Sequence, residues 1–297
     1  MTPRRALVSG STGFVGTHLV RHLASQGWAV GRLVRSGLES PEPGAGGVRD
    51  HYWDGSTSSA CAAVAAAAPD VVFHLASLFV AEHAADDVAP LIAANLLVGT
   101  QIAEAMLRCG CRSLVNAGTS WQYGTSRAYE PVCLYAATKQ AFEDILAYYV
   151  LAEGFHVVTL RLYDTYGPHD RRPKLFAALR QCADSGVALA LSPGEQLLDL
   201  VHVDDVAQAF ALAGQRARGD GAALETFDVS CARQVTLKQV VALYAQAIGR
   251  PVPVVWGGRG YRRREVMVPP VGRTLPGWTP AVSLERGLAT MQVPDGD

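Results

Sequence analysis

The segment ALVSGSTGFVGTHLVRHLAS, residues 6–25, constrains the fold more than any other part of the chain. A short apolar run ends at Ser9, three glycines follow at Gly10, Gly13 and Gly16, and apolar residues then recur at helical spacing. A strand that turns sharply into a helix uses each glycine differently. Gly10 permits the tight turn, Gly13 lets backbone approach a pyrophosphate, and Gly16 lets the helix pack closely on its strand. The helix N-terminus then offers free N–H groups and the positive end of its dipole to phosphates. This segment predicts a dinucleotide site, with Thr12, Phe14 and Val15 as the other loop contacts.

Downstream, apolar runs continue to alternate with longer stretches of helical period. Strand candidates are residues 5–10, 28–35, 70–76, 113–118 and 156–162; helix candidates are 17–27, 61–68, 90–110 and 135–154. Strands that read as unbroken apolar runs, separated by helices, imply a parallel sheet covered on both faces. The fold class predicted is α/β, with a doubly wound parallel sheet. Residues 37–58 are rich in Gly, Pro and Ser and read as a surface loop. Beyond residue 168 prolines become frequent, and helices at 174–185, 204–217 and 236–249 alternate with short runs such as LLDLVHV and VPVVW. We expect a dinucleotide-binding domain over residues 1–168 and a smaller, intertwined C-terminal substrate-binding lobe over 169–297. Ligands of open α/β sheets bind beyond the carboxyl ends of the strands, so such a lobe would close a cleft there.

With 26 basic and 27 acidic residues, the chain carries no electrostatic footprint for nucleic acid or an anionic membrane. Its N-terminal apolar run is too short for a signal peptide, and no later stretch is uniformly apolar for the ~20 residues that span a bilayer. The six cysteines form no CxxC pair and have no histidine partner at metal spacing, which predicts reduced thiols, a cytoplasmic setting and no metal site. Cys109 and Cys111 read as packing residues. Asp204 and Asp205 could pass for a metal pair, but they open a predicted helix, where carboxylates cap N–H groups.

Tyr135 and Lys139 lie four apart on a predicted helix, so both emerge from one face. A phenol is a poor base at neutral pH, and a nearby ammonium stabilises the tyrosinate. Thr119, at the end of the fourth predicted strand, stands on the same rim as the glycine loop and could polarise a carbonyl beside Tyr135. At the end of the second strand, where an acidic residue would hold a free ribose 2'-hydroxyl, the chain has Arg35 and then Ser36. A guanidinium there suits a 2'-phosphate, so NADP(H) is expected over NAD(H). Arg32 reads as a solvent-facing strand residue.

These motifs, together with PDVVFHLAS, NLLVGT, GTSWQYG, YAATK, RLYDTYGP and LVHVDDVA, resemble the extended short-chain dehydrogenases/reductases of the nucleotide-sugar epimerase/dehydratase family. The resemblance runs nearly end to end and implies a Rossmann domain with a smaller lobe that grips a nucleoside-diphosphate sugar. It assigns Thr119, Tyr135 and Lys139 as catalytic. It also places Leu75, Ala76, His74 and Asn95 beside the cofactor cleft, Asp54 near the adenine and His202 as an ordering residue of the second lobe. Dimers in the family often form through the two long helices, here 90–110 and 135–154.

Within that family, GTSWQ followed by YAATKQAFEDIL is most similar to reductases of nucleotide-linked 4-keto-6-deoxy sugars. The dehydratase branch typically carries aspartate and glutamate after the catalytic threonine; here Ser120 and Trp121 stand there, and neither does general acid/base work. The expected activity is therefore NADPH-dependent reduction of a C4 ketone. A C4 epimerase is the nearest rival, and a non-catalytic dinucleotide sensor a rival of another class. Trp121 reads either as a wall of the sugar pocket or as a core residue. Leu198 occupies the place of the arginine that often binds the diphosphate. That role then passes to Arg263 or Arg264, or to Arg171 and Arg172, whose planar forks suit phosphate oxygens.

Overall fold

A computed structural model of the protein describes residues 3–37, 47–126, 128–219 and 221–291. Its centre is a seven-stranded sheet with all neighbouring strands parallel. The strands are β1 (Arg5–Ser9), β2 (Ala29–Arg35), β3 (Val48–Trp53), β4 (Val71–His74), β5 (Ser113–Thr119), β6 (His156–Leu162) and β10 (Leu224–Val229), in the order β10-β6-β5-β4-β1-β2-β3. The order reverses direction at β1, and that switch point is where an open sheet leaves a crevice.

The apolar runs are continuous because each central strand buries both faces. Alternate residues feed two separate cores: Val8, Phe73 and Val115 point to one, and Leu7, Val72 and Leu114 to the other. The first core is closed by α1 (Phe14–Ser25) and α7 (Val203–Ala217) through Leu19, Leu23 and Phe210. The second is closed by α2 (Thr57–Ala67), α4 (Val98–Cys109) and α5 (Leu134–Glu153) through Val64, Ile102, Met106, Phe142 and Leu146. The helix expected at 90–110 begins earlier, as a short turn and α3 (Val88–Ile92), and passes through a π-helical turn at Ala93–Leu97 before α4. Among the described residues one helical stretch, Ala85–Cys109, is long and apolar enough to cross a membrane. Here its α4 part is buried against the sheet.

Two expectations are corrected. Part of the region read as a surface loop is the edge strand β3, its last two residues already belong to the first turn of α2, and residues 38–46 of that reading lie outside the described residues. The sequence of β3, VRDHYW, sets three polar residues in a row, and only Trp53 of the six is fully buried, as suits an edge strand in contact with water. The second correction concerns Arg32, which is buried and not solvent-facing. Its guanidinium makes a two-pronged ion pair with Asp50, Nε to Oδ1 at 2.6 Å and Nη2 to Oδ2 at 3.1 Å, across the β2–β3 ladder in which the two residues are paired.

The remaining elements form the lobe. β7 (Asp164–Tyr166), β9 (Leu197–His202) and β11 (Gln234–Thr236) make one small sheet, and β8 (Leu189–Leu191) pairs with β12 (Val254–Trp256). With α6 (Leu175–Ser185), α8 (Leu237–Ile248) and α9 (Leu284–Thr290) they enclose a third core of Tyr166, Phe176, Leu179, Val240, Tyr244 and Leu288. α7 and β10 return to the main sheet. Asp205 accepts hydrogen bonds from the backbone N–H groups of Ala281 and Val282 at 2.9 and 3.0 Å, so it fixes the C-terminal segment, while His202 caps α7.

Candidate active site

The turn after β1 shows why its glycines are there. Gly10 has φ +68°, and a Cβ on it would lie 2.6 Å from the backbone nitrogen of Ala76. A Cβ on Gly16 would lie 2.0 Å from the Gly10 carbonyl oxygen, so any side chain would force α1 away from β1. Gly13 is the N-cap of α1 and makes no side-chain cap, which leaves the first-turn N–H groups facing the crevice. Ser11, unremarked in the sequence, has a buried hydroxyl with no hydrogen-bond partner among the described residues. The cradle and this orphaned hydroxyl fit the diphosphate of a dinucleotide. The crevice is bounded by Leu75 and Ala76 after β4, and Ser9 Oγ lies 2.8 Å from His74 Nδ1 beneath it.

Arg35 is exposed at the end of β2, its guanidinium 6.0 Å from the Trp53 ring centre, and the Ser36 N–H donates to the Trp53 carbonyl at 2.7 Å. Asp54 follows β3 and accepts the Ser56 N–H at 2.8 Å; hydrogen bonds from the Ser56 side chain and then its backbone hold its carboxyl below the usual carboxylate range.

On the other side of the switch point, Thr119 ends β5 and is locked by a reciprocal turn. Its N–H donates to Gln122 Oε1 at 2.9 Å and its Oγ1 accepts the Trp121 N–H at 3.3 Å. An oxygen that accepts from Trp121 keeps its own hydrogen for donation. The Thr119 hydroxyl is hydrogen-bonded to the Tyr135 oxygen, which Ser77 also bonds. Asn95, in the π-helical turn, sets Ser77 through Oδ1 at 2.9 Å and donates to Thr138 Oγ1 on α5 at 2.9 Å. π-turns mark functional sites, because the extra residue re-aims a side chain. Asn95 thus ties the loop after β4 to the helix that carries Tyr135 and Lys139.

Burial pushes the Tyr135 phenol up to about 12, against the pull of Ser77, Thr119 and the Arg172 charge. Desolvation dominates over the hydrogen bonds and charges around the phenol. Burial also lowers Lys139 to about 8, against the attraction of Glu143. His74 is held neutral, lowered to about 3 by burial and by the Lys139 charge.

Above this rim stands a wall that sequence reading only partly found. Trp121 is tilted against Phe79, ring centres 5.5 Å apart, and Phe79 lies edge-on to Tyr135 at 5.0 Å. Ser120 begins the 3-10 turn that carries Trp121. Of the cations at the wall, Arg172 is among those expected, and Lys174 and Arg262 are not. Arg262 sits over Trp121, Lys174 over Phe79, and Arg172 over Phe14 of the glycine loop. By contrast Arg264 is paired with Glu130 at 2.9 Å, Arg171 lines a surface groove with Arg180 and Asp184, and Arg263 is exposed. Asp164, between Lys174 and Arg262 in its electrostatics, has a carboxyl raised by burial. Leu198 packs against the lobe core. Cys109, expected to pack, is exposed, whereas Cys111 is buried; all six cysteines are free.

The sheet order and glycine-rich turn define a Rossmann-type nucleotide-binding protein with a second lobe over its crevice. The chain matches the NAD dependent epimerase/dehydratase family over residues 6–226 and belongs to that family. It is similar to the CDP-abequose synthase of Yersinia pseudotuberculosis, 27% identical over 89% of this chain and 91% of that protein. It is also similar to the UDP-glucose 4-epimerase of Mycolicibacterium smegmatis, 29% identical over 96% of each chain. Among solved structures, the UDP-glucose 4-epimerase of Thermus thermophilus in complex with NAD superposes with a TM-score of 0.82, at 26% identity over 97% of both chains. The protein is therefore a nicotinamide-dinucleotide-dependent enzyme of the nucleotide-sugar class.

Proposed function

We propose that this enzyme uses NADPH to reduce the C4 ketone of a nucleotide-linked 4-keto-6-deoxy sugar. The observation that carries the reading is the environment of Tyr135: a protonated phenol, bonded to Thr119, beside the aromatic rings of Phe79 and Trp121. Elimination of water would need a carboxyl group where Trp121 stands. A reductase starts with its proton on the acid, and burial keeps it there; an epimerase must first take a proton from a hydroxyl.

Thr119 donates its hydroxyl hydrogen to the ketone oxygen. Tyr135 then gives its proton to the same oxygen as charge develops there. Lys139 holds the ribose and, as a buried ammonium, stabilises the phenolate that remains. Bound at Gly10, Thr12, Gly13, Phe14, Val15 and Gly16, with Arg35 and Ser36 at its 2'-phosphate, the dinucleotide supplies the hydride. Arg172, Lys174 and Arg262 stand in for the arginine that Leu198 replaces. Exposed Val88, Ile92 and Leu97, with Tyr148 and Leu151 of α5, support a homodimer through these helices.

The epimerase relatives favour a second reading, C4 epimerisation on a retained dinucleotide. One assay separates the two: purified protein, NADPH and CDP-, dTDP- or UDP-linked 4-keto-6-deoxy sugars, followed by loss of nicotinamide absorbance. Stoichiometric consumption is expected; no consumption with any ketosugar sinks the reductase.

A further inference from the structure

Phe79 is a large apolar side chain left 41% exposed at the mouth of the crevice, yet it is firmly placed. The residue before it, Leu78, is clamped on both backbone groups by Asn95, N–H to Oδ1 at 2.8 Å and Nδ2 to the carbonyl at 3.0 Å. Its ring meets Tyr135 edge-on at 5.0 Å and Trp121 at 5.5 Å. Trp121 is fixed in turn, through its N–H to Thr119 and its carbonyl to the Val132 N–H at 3.0 Å. The two rings therefore form a rigid apolar corner directly beside the proton donor. Lys174 lies 4.5 Å from the Phe79 ring centre and Arg262 5.4 Å from the Trp121 ring.

A hydroxyl set into that corner loses water and meets ring carbon, whereas a methyl gains contact. Resting on the ketoreductase reading, we infer that Phe79, with Trp121, is the residue that reads the substituent next to the reacting carbonyl and selects a C6 methyl over a C6 hydroxyl. An apolar pocket discriminates against an added hydroxyl by about 10- to 100-fold, which sets the size of the effect.

Binding tests this without any turnover. Calorimetry with the intact protein and NADP⁺ compares nucleotide-linked hexose with nucleotide-linked 6-deoxyhexose, paired on CDP, dTDP and UDP. The wild type is expected to favour the 6-deoxy member by about 10-fold or more. Phe79→Asn is expected to bring the ratio below about 3, and Phe79→Leu to keep most of it, with NADP⁺ affinity unchanged in both. A wild-type ratio near one, a preference for the hexose, or an unchanged ratio in Phe79→Asn overturns the inference. Absence of ketone reduction alongside a Phe79-dependent ratio would instead overturn the reductase reading.

Discussion

Ser9 and His74 end neighbouring parallel strands, and their side chains meet 2.8 Å apart beneath the glycine loop. The imidazole is buried and neutral, with Phe142 against its ring at 5.1 Å, so the fold carries a base that it does not allow to protonate.

That relationship sets an acid limit on stability. The folded His74 has its pKa lowered from 6.5 to about 3, so the unfolded chain binds the extra proton. Stability contributed by the neutral ring is intact above pH 6.5 and is lost as pH falls from there towards the folded value. At pH 5 the loss is about 2 kcal/mol, from 1.36 kcal/mol per unit. Urea unfolding at pH 7 and pH 5 should show His74→Asn losing less stability between the two than the wild type. Equal losses would mean other groups control the acid limb.

Lys139 sets a limit at the other end. Its ammonium, lowered to about 8, is charged below that pH and neutral above it. If it supports the phenolate left on Tyr135, kcat/KM for ketone reduction should be level below pH 7 and fall through one ionisation near 8. Tyr135 itself, near 12, stays protonated across that range. Lys139→Met should abolish the ionisation and lower kcat/KM by about 100-fold or more. A wild-type profile flat to pH 10 would remove Lys139 from this role.

The glycine loop makes a sharper prediction. Because a Cβ at Gly16 would sit 2.0 Å from the Gly10 carbonyl, Gly16→Ala must displace α1 and the N–H groups that face the diphosphate. NADPH affinity should weaken by about 10-fold or more, equivalent to 1.4 kcal/mol. At Gly219 the nearest atom is 3.6 Å from a built Cβ, and Gly219→Ala should leave affinity unchanged. Fluorescence titration of NADPH reads both.

The sequence was most legible where one period or one residue type decides the structure. β1, β2, β4, β5 and β6 are central strands buried on both faces and built mostly from apolar residues, which is what makes them visible as runs. Gly10 and Gly16 announce contacts that only hydrogen permits. What was hidden depends on register and long-range approach. β3 is polar at three of its six positions, so VRDHYW looks like the loop that precedes it. Arg32 looks solvent-facing until Asp50 is known to lie opposite. Phe79, Lys174 and Arg262 come from three distant segments and meet only when the lobe closes on the crevice. A neighbouring arginine, Arg171 for Arg172 or Arg263 for Arg262, cannot be chosen without the direction of the side chain.

The proposed preference for NADPH rests on Arg35. It is exposed beside Trp53, and a 2'-phosphate between Arg35 and Ser36 would gain a charge-assisted bond of about 1.5–3 kcal/mol. Arg35→Asp replaces that attraction by repulsion. It should shift the NADPH to NADH affinity ratio by roughly 100-fold towards NADH, measured by titration of each. A ratio unchanged by the substitution would place the selectivity elsewhere.

Arg32 and Asp50 join the edge strand to its neighbour in a region with little water, and each removes the other's cost of burial. Deleting one charge leaves its partner uncompensated, so Arg32→Met or Asp50→Leu alone should cost about 3 kcal/mol in urea unfolding. Deleting both removes the stranded charge as well, and apolar replacements on a cross-strand pair can pack together. Arg32→Met combined with Asp50→Leu should therefore recover most of the lost stability. If the double variant is as unstable as the sum of the singles, the pair is not coupled, and β3 is held by its backbone ladder alone.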